Sequence, residues 1–451
     1  MSVGLYLGET ARGALLAAAE QGVLVLGPPR SGKTSTLVVP NVLAAPGPVV
    51  STSTKPDVLA ATVASRGQLG RCWLYDPSGT VERPGGVDEL RWSPVPGSLR
   101  WDGAVLMARS MVHAARPATG VTPVEANHWN ERAEALLAPL LHAAALAGAG
   151  IETLVGWVNR RSPDEAADIL TDHGSPTAAD LLAGIVATDE REQSGIWSTA
   201  SGVLVGYRLD AALASATHPN FDPHAFVAGR DAVYVCATGR QQSLVSPLVV
   251  GLLEDVRAAT YQRARRGGGQ PVLLALDEVA NIAPLPELPA IVAEGGGQGL
   301  LTLACLQDFS QARARWGAAA DGFASLFGAT VVLRGIGDVR TLEALSTRCG
   351  EIDIPVRSES RGRSQPDAGG RRWRRSRSVT WSTRRQRRLA VDAIAEGQPG
   401  AALVVAGAHP PMWVELRPWW QNGRWPVTDR VPTRSRSERS RVLRREGGRG
   451  R

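Results

Sequence analysis

The chain has 451 residues, 43% of them hydrophobic and 5% aromatic, and a formal charge of +7. It is too long for one ordinary core and too apolar to stay unfolded, so two or three packed domains are expected. Four cysteines without a CxxC pair read as reduced core thiols, the seven histidines show no ligand spacing, and there is no G-x-S-x-G elbow. They argue against a disulfide framework or a protein-held zinc catalyst.

In chain order, the first 22 residues lack a positive n-region and are broken by Glu9, Arg12 and Glu20. They read as neither a signal peptide nor a membrane span. Short apolar, β-branched runs then follow at Val23–Leu26, Pro48–Val50 and Cys72–Tyr75. Between about Trp101 and Leu213 the rhythm becomes helical, as in NHWNERAEALLAPLLHAAALAG and SPDEAADILTDHG, with Ser162-Pro163-Asp164-Glu165 expected to cap the latter. Strand-like runs return after Phe221, at Ala232–Cys236, Val272–Leu276, Leu300–Leu306, Thr330–Leu333 and Ala402–Val405. Runs apolar on both faces belong to a largely parallel sheet covered by helices. The fold class is therefore α/β, with a nucleotide-binding domain at 1–100 and 214–427, an inserted all-α domain at 101–213 and a basic tail at 428–451.

The chemistry lies just past the strands. GPPRSGKT, from Gly27 to Thr34, fits G-x-x-x-x-G-K-[ST] and follows a strand. The loop residues Gly27, Pro28, Pro29, Arg30, Ser31, Gly32, Lys33, Thr34 and Ser35 are the expected phosphate cradle. There Lys33 reaches the β- and γ-phosphates, and the Thr34 hydroxyl binds magnesium. In VLLALDEVANI, Asp277 is expected to hold Mg2+ through water and Glu278 to orient and polarise the attacking water. Gln307, where Leu300–Leu306 ends, is placed to touch the γ-phosphate or that water. In an open parallel sheet ligands bind beyond the carboxyl ends of the strands, and here five strands end at Gly27, Ser53, Asp76, Asp277 and Gln307. The only two lysines of the chain, Lys33 and Lys55, also fall on that rim.

A phosphate loop, an Asp-Glu pair and a strand-end Gln resemble multimeric RecA-like motors. More narrowly, the chain resembles the type IV secretion coupling proteins of the TraG/TraD kind, ATPases that feed DNA into conjugation machines. The resemblance is carried by GPPRSGKTSTLVVPNVL, VVSTSTKPDVLAATV, LYDPSGTVERPGGVDELRWSPV, LLALDEVANI, LLTLACLQDFSQARARWG, LRGIGDVRTLEALSTRCGE and AALVVAGAHPP, roughly Gly22 to Pro411. It implies a RecA-like P-loop ATPase that takes ATP and Mg2+, assembles as a hexamer and drives single-stranded or duplex DNA. A relaxase or secretion-channel proteins would be its partners. Family members carry N-terminal membrane helices, so the resemblance places this chain in the cytoplasm, held at the membrane face by a partner. Related motors also carry an arginine where this chain reads AEGGGQG, from Ala293 to Gly299. Arg334, Arg340 or Arg348 would then have to act across the subunit interface.

Two segments concentrate the positive charge: twelve arginines against Glu359 and Asp367 between 357 and 388, and nine against Glu438 and Glu446 between 430 and 451. Such runs suit a polyanion. The stretch 358–388 reads as a basic loop within the nucleotide-binding domain, with Trp373, Val379 and Trp381 offering a short hairpin or base stacking as the other reading. Two further functions share the ATPase core: an FtsK-like pump for double-stranded DNA, and a nucleotide-gated adaptor that recruits substrate without pumping.

Overall fold

The computed structural model describes residues 4–115, 123–237, 239–364 and 374–425. The strands are β1 (Tyr6–Thr10), β2 (Gly13–Leu16), β3 (Val23–Leu26), β4 (Val49–Ser53), β5 (Cys72–Tyr75), β6 (Asp88–Glu89), β7 (Ala232–Cys236), β8 (Val272–Leu276), β9 (Leu300–Leu306), β10 (Ala329–Val332), β11 (Glu351–Ser364), β12 (Arg374–Arg387), β13 (Ala401–Ala406) and β14 (Met412–Glu415). All but β11 and β12 join one sheet in the order β2-β1-β14-β13-β10-β3-β9-β8-β4-β7-β5-β6. From β10 to β6 every pairing is parallel. The pairings of β13, β14, β1 and β2 are antiparallel.

The parallel block follows from residue chemistry. VLVL of β3, AVYVC of β7 and VLLAL of β8 are buried at every position, which only a sheet with both faces covered permits. Leu24 and Leu26 face one core, and Val23 and Val25 face the other, as the two-residue side-chain period requires. The first core runs on without a break into the helices of the insertion, through Trp92, Met107, Leu140 and Trp157. These include Trp101–Ala114, Pro123–Leu146, Ile151–Arg160, Asp164–Asp172, Pro176–Val186 and Glu190–Val203. The helix at Asp164 starts without a side-chain cap. Ser162 does not serve it, and Glu165 instead accepts from Trp157 Nε1 at 2.7 Å.

A second difference from the sequence expectation is larger. Within 358–388 the described residues 358–364 and 374–387 are strand and not basic loop, the hairpin of the other reading but longer: β11 and β12, each of 14 residues, pair in continuous antiparallel register from Glu351↔Arg387 to Ser364↔Arg374. Ser and Arg carry no apolar alternation, so period-based reading had no grip on them. The expected tail 428–451 and Trp373 lie outside the described residues. No helix among the described residues is long and apolar enough to cross a membrane.

One junction between sheet and insertion buries a carboxyl, Asp255, beneath a tryptophan. Gly251, within the helix Gln242–Arg265, leaves room for the Trp92 ring, which a Cβ there would meet at 2.4 Å. Trp92 Nε1 donates to Asp255 Oδ2 at 2.8 Å. Burial pushes the Asp255 carboxyl up to about 7, and Glu254 adds to the rise, while the Trp92 bond opposes it. A carboxyl raised in the folded state contributes stability that is complete below its unfolded value, near 4, and is lost as pH rises through about 7. Thermal melts of the wild type are expected to fall between pH 5 and 8. In Asp255→Asn, which keeps an acceptor for Trp92, that fall should be much reduced.

Candidate nucleotide site

The loop after β3 turns back over the sheet edge because two residues take left-handed backbone, Arg30 at φ 64° and Gly32 at φ 99°. Gly32 tolerates this freely; Arg30 does so at a cost, as often happens at ligand-binding turns. The Ser31 N–H donates to Pro28 O at 3.3 Å and the Thr36 N–H to Gly32 O at 3.0 Å, closing the loop into a wide helical turn at Thr34–Val38. The Gly27 N–H donates to Leu306 O at 3.2 Å. The phosphate loop is thereby fastened to the tip of β9, one residue before Gln307.

Lys33 is 7% exposed, and its ammonium donates to Gly27 O at 2.5 Å and Pro28 O at 3.1 Å. Thr34 Oγ1 donates to Asp277 Oδ2 at 2.5 Å. Two strand-tip bonds lock Asp277: its N–H donates to Thr52 O at 3.2 Å, and its carbonyl accepts from Thr52 Oγ1 at 3.1 Å. Burial raises the Asp277 carboxyl above the ordinary carboxylate range; the Thr34 bond and Lys33 draw it back, while Glu278 pushes it further up. Glu278 holds φ at 57°, a left-handed conformation for a side-chain-bearing residue. Its Oε2 accepts from Asn281 Nδ2 at 3.0 Å. The Gln307 N–H donates to Gln311 Oε1 at 2.9 Å.

The structure thus gathers the phosphate loop, Asp277, Glu278 and Gln307 on one rim, formed by the neighbouring tips of β3, β9 and β8. Lys55 stands exposed past β4, its N–H donating to Ser53 Oγ at 3.3 Å. Asp76, past β5, is spent on its own turn, where it accepts from the N–H groups of Ser78, Thr80 and Val81. Asn281 and Gln311 escaped the sequence reading. Their only signal is spacing, three residues after Glu278 and four after Gln307.

The residues fit a magnesium-bound triphosphate. The hydroxyl and carboxylate oxygens of Thr34 and Asp277 are hard donors suited to Mg2+. Lys33 points its charge into the loop. Ser31 Oγ is buried without a hydrogen-bond partner, a polar atom left for something the loop encloses.

Geometry closes two positions of AEGGGQG to an arginine. Gly296, in AEGGGQG, packs on the backbone before β3: a Cβ there would lie 1.8 Å from Glu20 O, and one at Gly295 would lie 2.3 Å from Ile291 O. No arginine fits those two positions, which sit at the edge of the sheet opposite the phosphate loop. Of the expected substitutes, Arg348 donates to Ser325 Oγ at 3.2 Å and Arg340 is exposed. Arg334 is exposed in the loop whose Gly335 abuts the Pro28 ring, a Cβ there meeting Pro28 Cγ at 3.3 Å.

From this rim a strut leads to the helical insertion. The helix Phe309–Trp316, capped by Asp308, begins directly after Gln307. Its Arg315 donates to Ala114 O at 2.5 Å and His113 O at 3.0 Å, at the carboxyl end of Trp101–Ala114. Trp316 Nε1 donates to Leu285 O at 2.8 Å, in the segment that follows Glu278.

Residues 271–396 match the sequence model described as the TraM recognition site of TraD and TraG. No curated protein sequence matches the chain. Among solved structures, the unbound bacterial conjugative coupling protein TrwBdeltaN70 superposes with a TM-score of 0.69 at 19% identity, covering 94% of this chain and 91% of its own. TrwB with the ATP analogue ADPNP gives 0.67 at 17% identity, and TrwB with ADP and Mg2+ gives 0.65 at 18%, each over 94% and 91% of the two chains. The fold is therefore RecA-like α/β, shared with TrwB over nearly the whole chain.

Proposed function

From the coupling-protein fold and the match at 271–396, we propose that the chain is an ATP-driven motor that couples a conjugative DNA or nucleoprotein substrate to a type IV secretion channel. The observation that carries this reading is the bond from Thr34 of the phosphate loop to Asp277 at the tip of β8, 2.5 Å, beside the Lys33 ammonium held on the loop carbonyls. ATP with Mg2+ is the fuel, as the ligands of the TrwB structures support.

Bound magnesium neutralises charge on the β- and γ-phosphoryl groups; the residues do the rest. Lys33 leaves the carbonyls of Gly27 and Pro28 for the phosphates. Thr34 and Asp277 hold the metal. Glu278, steadied by Asn281, orients and polarises water, and Gln307 senses the γ-phosphate. Its neighbouring helix relays the change to the insertion through Arg315. Charge developing at the subunit junction needs an arginine from a second copy, in a homo-oligomer that we read as a hexamer. Relaxase or channel proteins are the protein partners, and a partner supplies contact with the cytoplasmic membrane face.

The test is ATP turnover of the purified chain with and without DNA, with oligomer size read in parallel. Severalfold stimulation by single-stranded DNA in a six-membered assembly supports the reading. Stronger stimulation by duplex DNA would favour an FtsK-like pump. Nucleotide binding without turnover under either condition would leave the adaptor.

A further inference from the structure

The hairpin β11–β12 departs from the rest of the chain in what it buries. It forms a sheet of its own, joined at its root by the Arg388 N–H to Gly350 O at 2.9 Å and by Ser346 Oγ to Leu389 O at 2.6 Å. A 14-residue strand extends about 45 Å. A two-stranded ribbon of polar residues gains little from burial and is marginal alone. Such an arm is better explained by what it touches than by what it packs.

Register sorts its side chains. Directly paired residues share a face, and successive ones alternate. Among the described side chains, one face carries the pairs Glu351/Arg387, Asp353/Arg385, Pro355/Thr383, Arg357/Trp381, Glu359/Val379 and Arg361/Arg377. The other carries Ile352/Gln386, Ile354/Arg384, Val356/Ser382, Ser358/Thr380 and Ser360/Ser378. All three acids and five of the six arginines therefore lie on the first face.

On that face Glu359 gathers three guanidiniums: Arg361 and Arg377 at 2.8 Å each, and Arg357 at 3.9 Å. Exposed ion pairs add little stability. Here one carboxylate organises three cations and leaves two positive charges in excess. Across from Arg357 stands Trp381, 66% exposed, the most exposed large hydrophobic side chain among the described residues. Arg377 and Arg385 lie four residues to either side of it on the same face, about 13 Å away each. An exposed aromatic ring flanked by guanidiniums at regular intervals is the pattern by which proteins hold single-stranded nucleic acid, bases stacking on the ring and phosphates meeting the cations.

We propose that this arginine-bearing face of the hairpin is a single-stranded DNA contact surface, with Trp381 as its stacking platform and the Glu359 cluster as its phosphate grip. The inference rests on the DNA-handling reading above and assigns the contact to one face of one arm. An acidic protein partner is the competing occupant.

The test measures binding of the full chain to a 20-nucleotide oligo-dT by fluorescence anisotropy across a salt series. Trp381→Ala is expected to weaken binding about tenfold, with Trp381→Phe retaining most of it. Arg377→Ser should weaken binding severalfold and lower the salt slope by about one, whereas Arg384→Ser, the same charge lost from the opposite face, should change affinity less than twofold. Glu359→Gln should strengthen binding, an outcome that damage to the fold would not produce. Equal effects of Arg377→Ser and Arg384→Ser, or unchanged affinity in Trp381→Ala, would overturn the assignment while leaving the motor reading intact. A wild type that binds no oligo-dT would overturn the assignment too, whereas the motor reading falls only if DNA leaves ATP turnover unchanged. Variants that bind DNA normally but lose an acidic relaxosome protein would give the face to that partner.

Discussion

Glu278→Gln is expected to abolish most ATP turnover, lowering the rate about 100- to 10,000-fold while nucleotide affinity stays close to that of the wild type. The magnitude is that of removing a positioned general base. The separation of rate from affinity follows from geometry. The Glu278 side chain accepts from Asn281 Nδ2 at 3.0 Å and, among the described residues, bonds to no member of the phosphate loop. Glutamine has the same shape and can still accept from Asn281, so the left-handed turn at 278 is preserved. Single-turnover hydrolysis measured beside equilibrium binding of a fluorescent ATP analogue decides the matter. Full turnover in Glu278→Gln would remove the water-activating role from this residue.

Lys33→Ala is expected to fail earlier, at binding. One charge-assisted bond to phosphate contributes about 1.5–3 kcal/mol, which corresponds to about ten- to hundredfold in affinity. Lys33→Arg should not rescue it. The ammonium sits between the carbonyls of Gly27 and Pro28 in a loop where even a Cβ on Gly27 would lie 2.8 Å from Ser31 Oγ. A planar guanidinium cannot substitute for a compact ammonium in that space. Equilibrium titration with ATP and Mg2+ reads the loss. Wild-type affinity in Lys33→Ala would mean that the loop binds its ligand without the cation.

Much of the parallel sheet was legible in the sequence because β3 and β8 are unbroken apolar runs and β9 is interrupted only by Thr302, each ended by a glycine or a polar residue. The antiparallel flank was not. In β1, YLGET, Gly8 interrupts the pattern, and the strand finds its partner β14 some 400 residues later. Local propensity carries no information about such a pairing. The hairpin was legible only as the second reading, and its length was not, for a related reason: its strands are held by register, whereas composition pointed to a loop. Within the nucleotide rim, local motifs announced the phosphate loop and the Asp-Glu pair. Asn281 and Gln311 act only through where the backbone turns place them, and ordinary amides leave no mark in a sequence. The packing of Gly296 against Glu20 was likewise unreadable, since it joins two segments through bare backbone.

The scarcity of lysine gives the molecule a built-in handle. Lys33 is sunk among carbonyls, and Lys55 stands in the open past β4. An amine-directed dye will therefore find one accessible side chain beyond any terminal amine, on the very edge where fuel is expected to dock. Light emitted from that position would follow the catalytic cycle without a single engineered cysteine.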